Sequence, residues 1–354
     1  MHGRLGSELR QVRRLIRAAA HGADLVRAAG SVRMVVHGLI GQVPAQPLTR
    51  LISALNDALT RRTIDLACAQ ARLGPVRWCW IALGSEGRRE QTLTSDQDNG
   101  IVFDDEGGAA DVLRMSLLPL AERINEALAA CGFPLCGGGI MASNPQWCLG
   151  LHEWRGRFLQ WIVEADPQAL LNATIFFDLR PLHGHFDLAR ALSDWLAANA
   201  SDNPRFLFQM ADNALRRKPP LGVVHDFAVE KSGKFAGAID LKRNAATLFV
   251  DAARIYGLAC GSRSTNTADR FMLAVRHGRL DASDAQAWIS AFYFIQALRL
   301  KHQQACHARG APMQNHVDPG RLDTADRRAL LGALRHARAA QKRLMSAFGG
   351  GEMG

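Results

Sequence analysis

The sequence predicts an α+β fold in which a small sheet domain precedes a helical domain. Two apolar runs in the first half, residues 76–83 and 99–103, have the length and composition of buried strands. From residue 186 to residue 348 no convincing series of strands follows, and apolar side chains recur at helical spacing. A mixed first half followed by a helical second half is typical of a sheet domain joined to a helical one. We expect an N-terminal helical segment (1–47), a sheet domain (48–187) and a helical domain (188–354).

Helical periodicity begins close to the N-terminus. Residues 9–19 place apolar side chains at helical spacing with arginines between them, which predicts an amphipathic helix. Residues 48–73 resume the pattern as a long helix that leads into the first strand. Between these helices five helix-breaking residues are expected to interrupt the chain: Gly30, Gly38, Gly41, Pro44 and Pro47.

After the second strand, residues 111–130 predict a helix that tolerates Pro119 only with a break or kink. A glycine triplet then precedes a predicted short strand at residues 140–141. Residues 151–171 have a helical pattern, and the apolar run 174–179 predicts another short strand.

Composition and charge indicate the class of protein without naming its function. The chain has 354 residues, of which 48% are hydrophobic and 21% are charged, and these values are ordinary for a globular protein with a sizeable core. Its net charge of +10 suits a polyanionic partner such as a nucleotide or nucleic acid, but an arginine-rich proteome explains it equally well, so charge alone decides nothing. No segment interleaves aromatic with basic residues, so nucleic acid is an unlikely partner. The oligomeric state stays open.

The cysteines and the most apolar helix indicate a cytoplasmic protein without a membrane span. The seven cysteines are odd in number, form no Cys-x-x-Cys pair and lie mostly among apolar residues, which indicates reduced thiols. A zinc site that combines His152 with Cys131, Cys136 or Cys148 is a minor alternative. No signal peptide is evident, and the apolar run 285–300 is too short to cross a bilayer.

The first strand ends at Gly84-Ser85, and this turn has the composition of a phosphate site. Glycine lets the backbone approach a ligand closely, and Ser85 adds a hydroxyl. If a helix begins near Glu86, the N–H groups after Ser85 form a concave anion-binding nest. Arg88 and Arg89 offer guanidinium groups to the same phosphates. Only one of the two arginines needs to face the site, and the other, with the next residue Glu90, can brace the loop.

Asp96 and Asp98 open the second strand and predict a metal site. Residues two apart on a strand point to the same face, so the two carboxylates lie side by side. They repel each other unless a cation lies between them, and oxygen ligands of this kind suit magnesium held jointly with substrate phosphates. A lone Gly-Ser is common in turns, and a lone Asp-x-Asp often caps an element. Their joint occurrence beside two strands favours a site.

The Gly-Ser, ten residues and Asp-x-Asp arrangement resembles the signature of the nucleotidyltransferase superfamily that includes DNA polymerase beta and kanamycin nucleotidyltransferase. The fuller string GSEGRREQTLTSDQDN looks like a bacterial nucleotidyltransferase family that is often fused to CBS and cyclic-nucleotide-binding domains and is related to PII-protein uridylyltransferase. The strings FFDLRPLHG, GAIDLKRNA and NTADRF extend the resemblance, which covers residues 48–343 approximately. No CBS or cyclic-nucleotide module is visible in this chain.

This resemblance implies a polymerase-beta-like nucleotidyltransferase domain with a mixed sheet, followed by a helical substrate-binding domain. It implies metal-dependent transfer of a nucleoside monophosphate from a nucleoside triphosphate to an acceptor, with Mg²⁺ or Mn²⁺ as the cofactor and pyrophosphate as the second product. The acceptor is unidentified. A regulatory protein is one candidate, and it would place the chain in signal transduction by uridylyl or adenylyl transfer.

The resemblance also implies two further site residues. A third carboxylate from a later strand completes the metal site in the superfamily, and Asp178 is the candidate by position. Its alternative role is a structural ion pair with Arg180, and two weaker candidates for the ligand are Glu164 and Asp166. Lys242, in the string GAIDLKRNA, is the candidate contact for the nucleotide phosphates or the substrate.

A regulatory module that senses a nucleotide without catalysis is the alternative function. The intact pair Asp96 and Asp98 favours the enzyme, because a protein that only binds a nucleotide has no need of two adjacent carboxylates.

Overall fold

The computed structural model describes residues 2–71, 73–106, 110–222 and 227–349. The chain divides into two compact units. The first comprises Met1–Phe158 and Ile175–Trp195, and the second comprises Leu159–Thr174 and Leu196–Gly354. The structure is 66% helical with a small mixed sheet, so the α+β class is confirmed.

The sheet of the first unit has four strands in the order β3-β2-β1-β4. Their bounds are β1 Trp78–Ala82, β2 Asn99–Phe103, β3 Cys148–Gly150 and β4 Arg180–Gly184. β1 pairs antiparallel with β2 and β4, whereas β2 pairs parallel with β3. All residues of β1 and β2 are buried. Burial on both faces explains why these two strands are continuous apolar runs rather than alternating ones.

Helices cover this sheet and carry the chain between its strands. Those that begin in the first unit are α1 His2–Ala18, α2 Gly22–Leu39, α3 Ala45–Gln70, α4 Gly84–Gly87, α5 Ala110–Ala130 and α6 Leu151–Glu164. The buried residues of α5 include Leu117, Leu120, Ile124 and Leu128 at helical spacing, and they pack with Trp80 of β1 in one core cluster. Pro119 lies inside α5. The long helix before β1 is confirmed as α3.

Three local predictions for the first unit are wrong. α2 runs through Gly30 and Gly38, and Pro47 lies in the first turn of α3, so none of these three residues interrupts a helix. The break comes at Gly41, where φ is +82°, and at Pro44, the residue before α3. Residues 140–141 form no strand, because Ile140 contributes a single carbonyl to the Asn99 N–H at 3.2 Å. The third error is the strand predicted over 174–179.

The apolar run 174–179 ends a helix instead. α7 spans Pro167–Phe176, and β4 begins only at Arg180. The aromatic side chains of the run complete a ring cluster: Phe176 lies 4.3 Å from the Trp147 ring and Phe177 lies 5.1 Å from the Phe158 ring, measured between centroids. Packing of these rings therefore overrides the strand propensity of the run.

The second unit is helical, as predicted. Its remaining helices are α8 Phe186–Ser201, which begins in the first unit, α9 Pro204–Arg216, α10 Thr247–Ala259, α11 Thr267–Arg276, α12 Ala282–Ala308 and α13 Thr324–Phe348. A two-residue ladder joins β5 Ile239–Asp240 to β6 His316–Val317. α13 packs against α9, α10 and α12. Among the described residues, no helix combines the length and the apolar character that a membrane crossing requires.

Candidate functional site

The turn after β1 depends on two glycines. Gly84 has φ +51°, and a Cβ atom there would lie 2.6 Å from Asp98 Oδ2. A Cβ atom on Gly87 would lie 1.8 Å from the carbonyl oxygen of Asp178. At Gly84 the positive φ would strain any residue with a Cβ atom, and at Gly87 the Cβ atom would collide with backbone. Glycine is therefore favoured at residues 84 and 87 because α4 lies against Asp98 at one end and against the backbone of Asp178 at the other.

α4 begins at Gly84, two residues before the expected position at Glu86. Its hydrogen-bond ladder starts with the Gly87 N–H, which donates to the Leu83 carbonyl oxygen at 2.8 Å. The N–H groups of the three preceding residues lie outside this ladder, as at the start of any helix. Ser85 is one of these three residues, and it is half-buried. The backbone predicted to receive phosphate thus has the geometry of a helix start, and phosphate binding itself stays a prediction.

The segment that enters β2 separates its side chains onto two sides. Asn125 Nδ2 donates to Gln97 Oε1 at 2.7 Å and to Asn99 Oδ1 at 3.1 Å, and all three residues are buried. Asp96 and Asp98, the alternate residues, are only half-buried. The amides therefore anchor the segment in the core and leave the two aspartates on the accessible side.

Asp96 and Asp98 meet a third side chain, Cys136. One ligand atom from each residue lies within 4.8 Å of the other two, and within the described part of the chain these three form the one group that could hold a metal ion. The two carboxylates are thus side by side, as their spacing predicts. The zinc alternative that combines His152 with Cys131, Cys136 or Cys148 finds no support, because among the described residues His152 belongs to no metal-ligand group, and its Nδ1 lies 2.8 Å from Asp105 Oδ1.

Cys136 is held beside the aspartates by its neighbours in the chain. The Gln97 N–H donates to the Pro134 carbonyl oxygen at 3.0 Å, and the Asn99 N–H donates to the Ile140 carbonyl oxygen at 3.2 Å. These bonds join the segment 134–140 to the backbone on both sides of the second aspartate. Burial, and after it the Asp98 carboxylate, raise the pKa of the Cys136 thiol. Nothing in the local sequence around Cys136 indicates this position.

Glu86 of α4 is a buried acid beside the same group. Burial is the main cause that raises the pKa of Glu86 to about 8, and the carboxylates of Asp57 and Asp98 raise it further against the opposing Arg180. Glu86 is therefore mostly protonated at neutral pH. It adds no third full negative charge next to Asp98.

Asp178 lies outside the group of Asp96 and Asp98. Arg88 Nη1 donates to Asp178 Oδ2 at 2.6 Å, and Arg88 Nε donates to Glu90 Oε2 at 2.8 Å. The side chains of Asp178 and Glu90 are 0% and 1% exposed. Burial acts to lower the pKa of Arg88, but these two carboxylates raise it above its ordinary value. Arg88 is thus the arginine that braces the loop.

The expected pair between Asp178 and Arg180 is wrong. Arg180 donates to both carboxylate oxygens of Asp57, at 2.7 and 3.0 Å, because β4 runs beside α3 at this point. The weaker ligand candidates lie in the second unit and are exposed. Glu164 accepts hydrogen bonds from Gln160, and Asp166 accepts one from the backbone of Ala169.

Arg89 differs from Arg88 in both exposure and backbone conformation. Arg89 is exposed, and its φ of +56° is uncommon for any residue other than glycine. Partial burial lowers the pKa of Arg89, the positive charge of Arg180 lowers it further, and Asp57 opposes both. Arg89 is therefore the member of the pair that is accessible to a phosphate.

Lys242 lies in the second unit, where it opens a π-helical turn, Lys242–Ala246, directly after β5. Its backbone N–H donates to Asp240 Oδ1 at 2.9 Å, and its residue is half-buried. The predicted contact of Lys242 with a nucleotide or substrate stays a prediction.

Two family models match most of the chain. The first, described as "Putative nucleotidyltransferase DUF294", matches residues 31–168, which include Gly84, Asp96, Asp98 and Cys136. The second, described as "Putative nucleotidyltransferase substrate binding domain", matches residues 204–348, which include Lys242. No curated protein matches the chain.

Proposed function

The chain belongs to the nucleotidyltransferase family that these two models describe, and from this premise we propose that it moves a nucleoside monophosphate from a nucleoside triphosphate to an acceptor hydroxyl. In this reaction a bond forms between the acceptor oxygen and the α-phosphorus. The bond from the α-phosphorus to the oxygen bridging to the β-phosphate breaks, pyrophosphate leaves, and the acceptor loses its proton.

The observation that carries the proposal is the pair Asp96 and Asp98 beside the glycine turn. The structure supplies two half-buried carboxylates next to each other, and Gly84 leaves the space beside Asp98 free of a side chain. Oxygen donors in this arrangement fit Mg²⁺ or Mn²⁺. When bound, such an ion would supply positive charge that stabilises the attacking and leaving oxygens.

The remaining residues of the first unit have supporting roles in the proposal. The start of α4, with Ser85, would bind the outer phosphates through backbone N–H groups. Arg89 would add a guanidinium to the same phosphates. Arg88 would position this loop through its bonds with Asp178 and Glu90. Because Glu86 is mostly protonated at neutral pH, it would not repel the incoming triphosphate.

The second unit would select the acceptor, since the family model that matches it describes a substrate-binding domain. The reaction has two candidate versions, uridylyl transfer and adenylyl transfer to a regulatory protein, and separate incubation with each triphosphate distinguishes them. The nucleotide-sensing module is the outcome that would replace the enzyme.

The test incubates the protein with each α-labelled nucleoside triphosphate, magnesium or manganese, and a cell lysate, and then identifies the labelled acceptor. We expect one triphosphate to label an acceptor only when a divalent ion is present. The matched controls are the Asp96→Asn and Asp98→Asn variants, which keep shape and remove charge. Triphosphate binding that is equally tight in a chelator and that labels no acceptor would favour the sensing module.

A further inference from the structure

We propose that Cys136 is the third protein ligand of the metal at Asp96 and Asp98, and that its sulfur makes this site prefer a transition-metal ion to Mg²⁺. This inference rests on the proposed function, because it concerns the metal of that reaction. In this proposal Cys136 takes the role of third metal ligand, which the resemblance implied for Asp178.

Position is the first argument for Cys136. Its sulfur and one oxygen from each aspartate lie within 4.8 Å of one another, which is close enough for a single ion to contact all three. The two backbone hydrogen bonds from Gln97 to Pro134 and from Asn99 to Ile140 hold the segment that carries it. Backbone hydrogen bonds on both sides of Asp98 therefore fix the segment that carries the thiol.

The other acidic residues near this group, Asp178 and Glu86, are less suited to bind a metal. Asp178 is fully buried and bonded to Arg88 at 2.6 Å. A metal would have to displace that guanidinium and leave its charge buried. Glu86 is buried too, and it lies outside the metal-ligand group found among the described residues. Cys136 is half-buried, like the two aspartates.

The chemistry of the donors then determines the choice of ion. Mg²⁺ takes oxygen ligands and demands near-octahedral geometry. Thiolates are soft ligands that bind zinc and other transition metals, and affinity for a given site rises from Mn²⁺ to Co²⁺. Binding displaces the proton from the thiol, so the metal meets a thiolate together with two carboxylates. Such a set favours Co²⁺, Zn²⁺ and, to a smaller degree, Mn²⁺ over Mg²⁺.

Cobalt absorption spectroscopy tests the ligand directly, without any measurement of activity. A sulfur bonded to Co²⁺ produces a charge-transfer band in the near ultraviolet, whereas carboxylate ligands do not. The full chain is titrated with Co²⁺ as the wild type and as the Cys136→Ser, Cys136→Asp and Cys68→Ser variants. Cys68 is the matched control, since it is also a half-buried thiol of the first unit and lies outside the metal-ligand group.

We expect the band in the wild type and in Cys68→Ser, and we expect its loss in Cys136→Ser. Calorimetry should show that Cys136→Asp shifts the ratio of Co²⁺ to Mg²⁺ affinity toward Mg²⁺ by about tenfold or more, the range over which metal sites respond to changed ligand shells. Circular dichroism verifies that each variant is folded, and the wild-type band is informative without any variant.

Two results would overturn the inference. In the first, Co²⁺ binds the wild type without a charge-transfer band, and its affinity falls in Asp96→Asn. This result would exclude Cys136 from the site and leave the proposed function intact. The second is a band that persists in Cys136→Ser. Failure of the proposed function is recognised separately, because the wild type would then label no acceptor, or would label it no better than Asp96→Asn and Asp98→Asn do.

Discussion

Two groups of acidic residues touch opposite ends of the same short helix, and their environments differ. At Gly87 the backbone of Asp178 lies against α4, and the carboxylates of Asp178 and Glu90 are buried around the guanidinium of Arg88. At Gly84 the other group, Asp96 and Asp98 with Cys136, is half-buried. We call the first the arginine group and the second the aspartate group.

An acidic residue beside the glycine turn is thus not by itself available to a metal ion. In the arginine group the protein supplies its own cation in fixed contact, so the carboxylates stabilise the loop and removal of one partner leaves a buried charge. In the aspartate group the acids are accessible from outside and adjoin a position where only glycine fits. Burial together with a bonded guanidinium separates the two roles.

The largest effect that follows from this difference is on catalysis. Asp96→Asn or Asp98→Asn should lower acceptor labelling by about a hundredfold or more, because each removes a charged metal ligand. The fold should persist, since Gln97 and Asn99 still anchor the segment to Asn125. Labelling rate, Mn²⁺ affinity by calorimetry and melting temperature measure this. Labelling by the double variant at the wild-type rate would show that the aspartate group is not the active site.

The matched change in the arginine group should lower stability instead. Asp178→Asn removes one of the two carboxylates bonded to the buried Arg88 and leaves Glu90 as its counter-charge, so we expect a loss of about 1–3 kcal/mol in the free energy of unfolding. Urea denaturation measures this loss, and metal affinity should remain at the wild-type level. If Asp178→Asn were as stable as the wild type but bound metal poorly, Asp178 would belong to the aspartate group after all.

Glu86 lies between the two groups and should make stability depend on pH. Its pKa is raised from 4.5 in the unfolded chain to about 8, so the folded protein holds a proton that the unfolded chain has lost between these values. The free energy of unfolding should therefore fall as pH rises from about 4.5 to about 8 and then level off. Since one pKa unit corresponds to about 1.4 kcal/mol, the total is on the order of a few kcal/mol.

Glu86→Gln should remove this component of the pH dependence, because the amide does not titrate. Denaturation of metal-free protein in the presence of a chelator, at several pH values, compares the variant with the wild type. Equal slopes for the two proteins would mean that Glu86 ionises normally.

The smallest effect concerns Arg89, and its sign should differ between stability and binding. Because Arg89 has φ +56°, Arg89→Gly should relieve strain and raise the free energy of unfolding by about 1 kcal/mol. The same change removes the accessible guanidinium and should weaken triphosphate binding. Thermal melting and calorimetry with a nonhydrolysable triphosphate measure the two effects. Unchanged binding would exclude Arg89 from the phosphate site.

The sequence alone was sufficient for those features that depend on neighbours in the chain. The strands β1 and β2 are apolar runs of strand length, and the helices follow from apolar spacing, because both periodicities are local. The shared side of Asp96 and Asp98 follows from the same rule, since alternate residues of an extended segment face the same way.

Only the tertiary structure decided which distant residues meet. Asp178 was expected beside Asp96 and Asp98, yet it bonds Arg88, because the position of β4 brings the backbone of Asp178, two residues before Arg180, against Gly87. Cys136 reaches the aspartates through backbone hydrogen bonds that no local pattern encodes. The raised pKa of Glu86 likewise comes from burial and from the carboxylates of Asp57 and Asp98, against the opposing charge of Arg180. Contacts of this kind depend on how helices and strands pack, and a pattern of neighbouring residues carries no information about them.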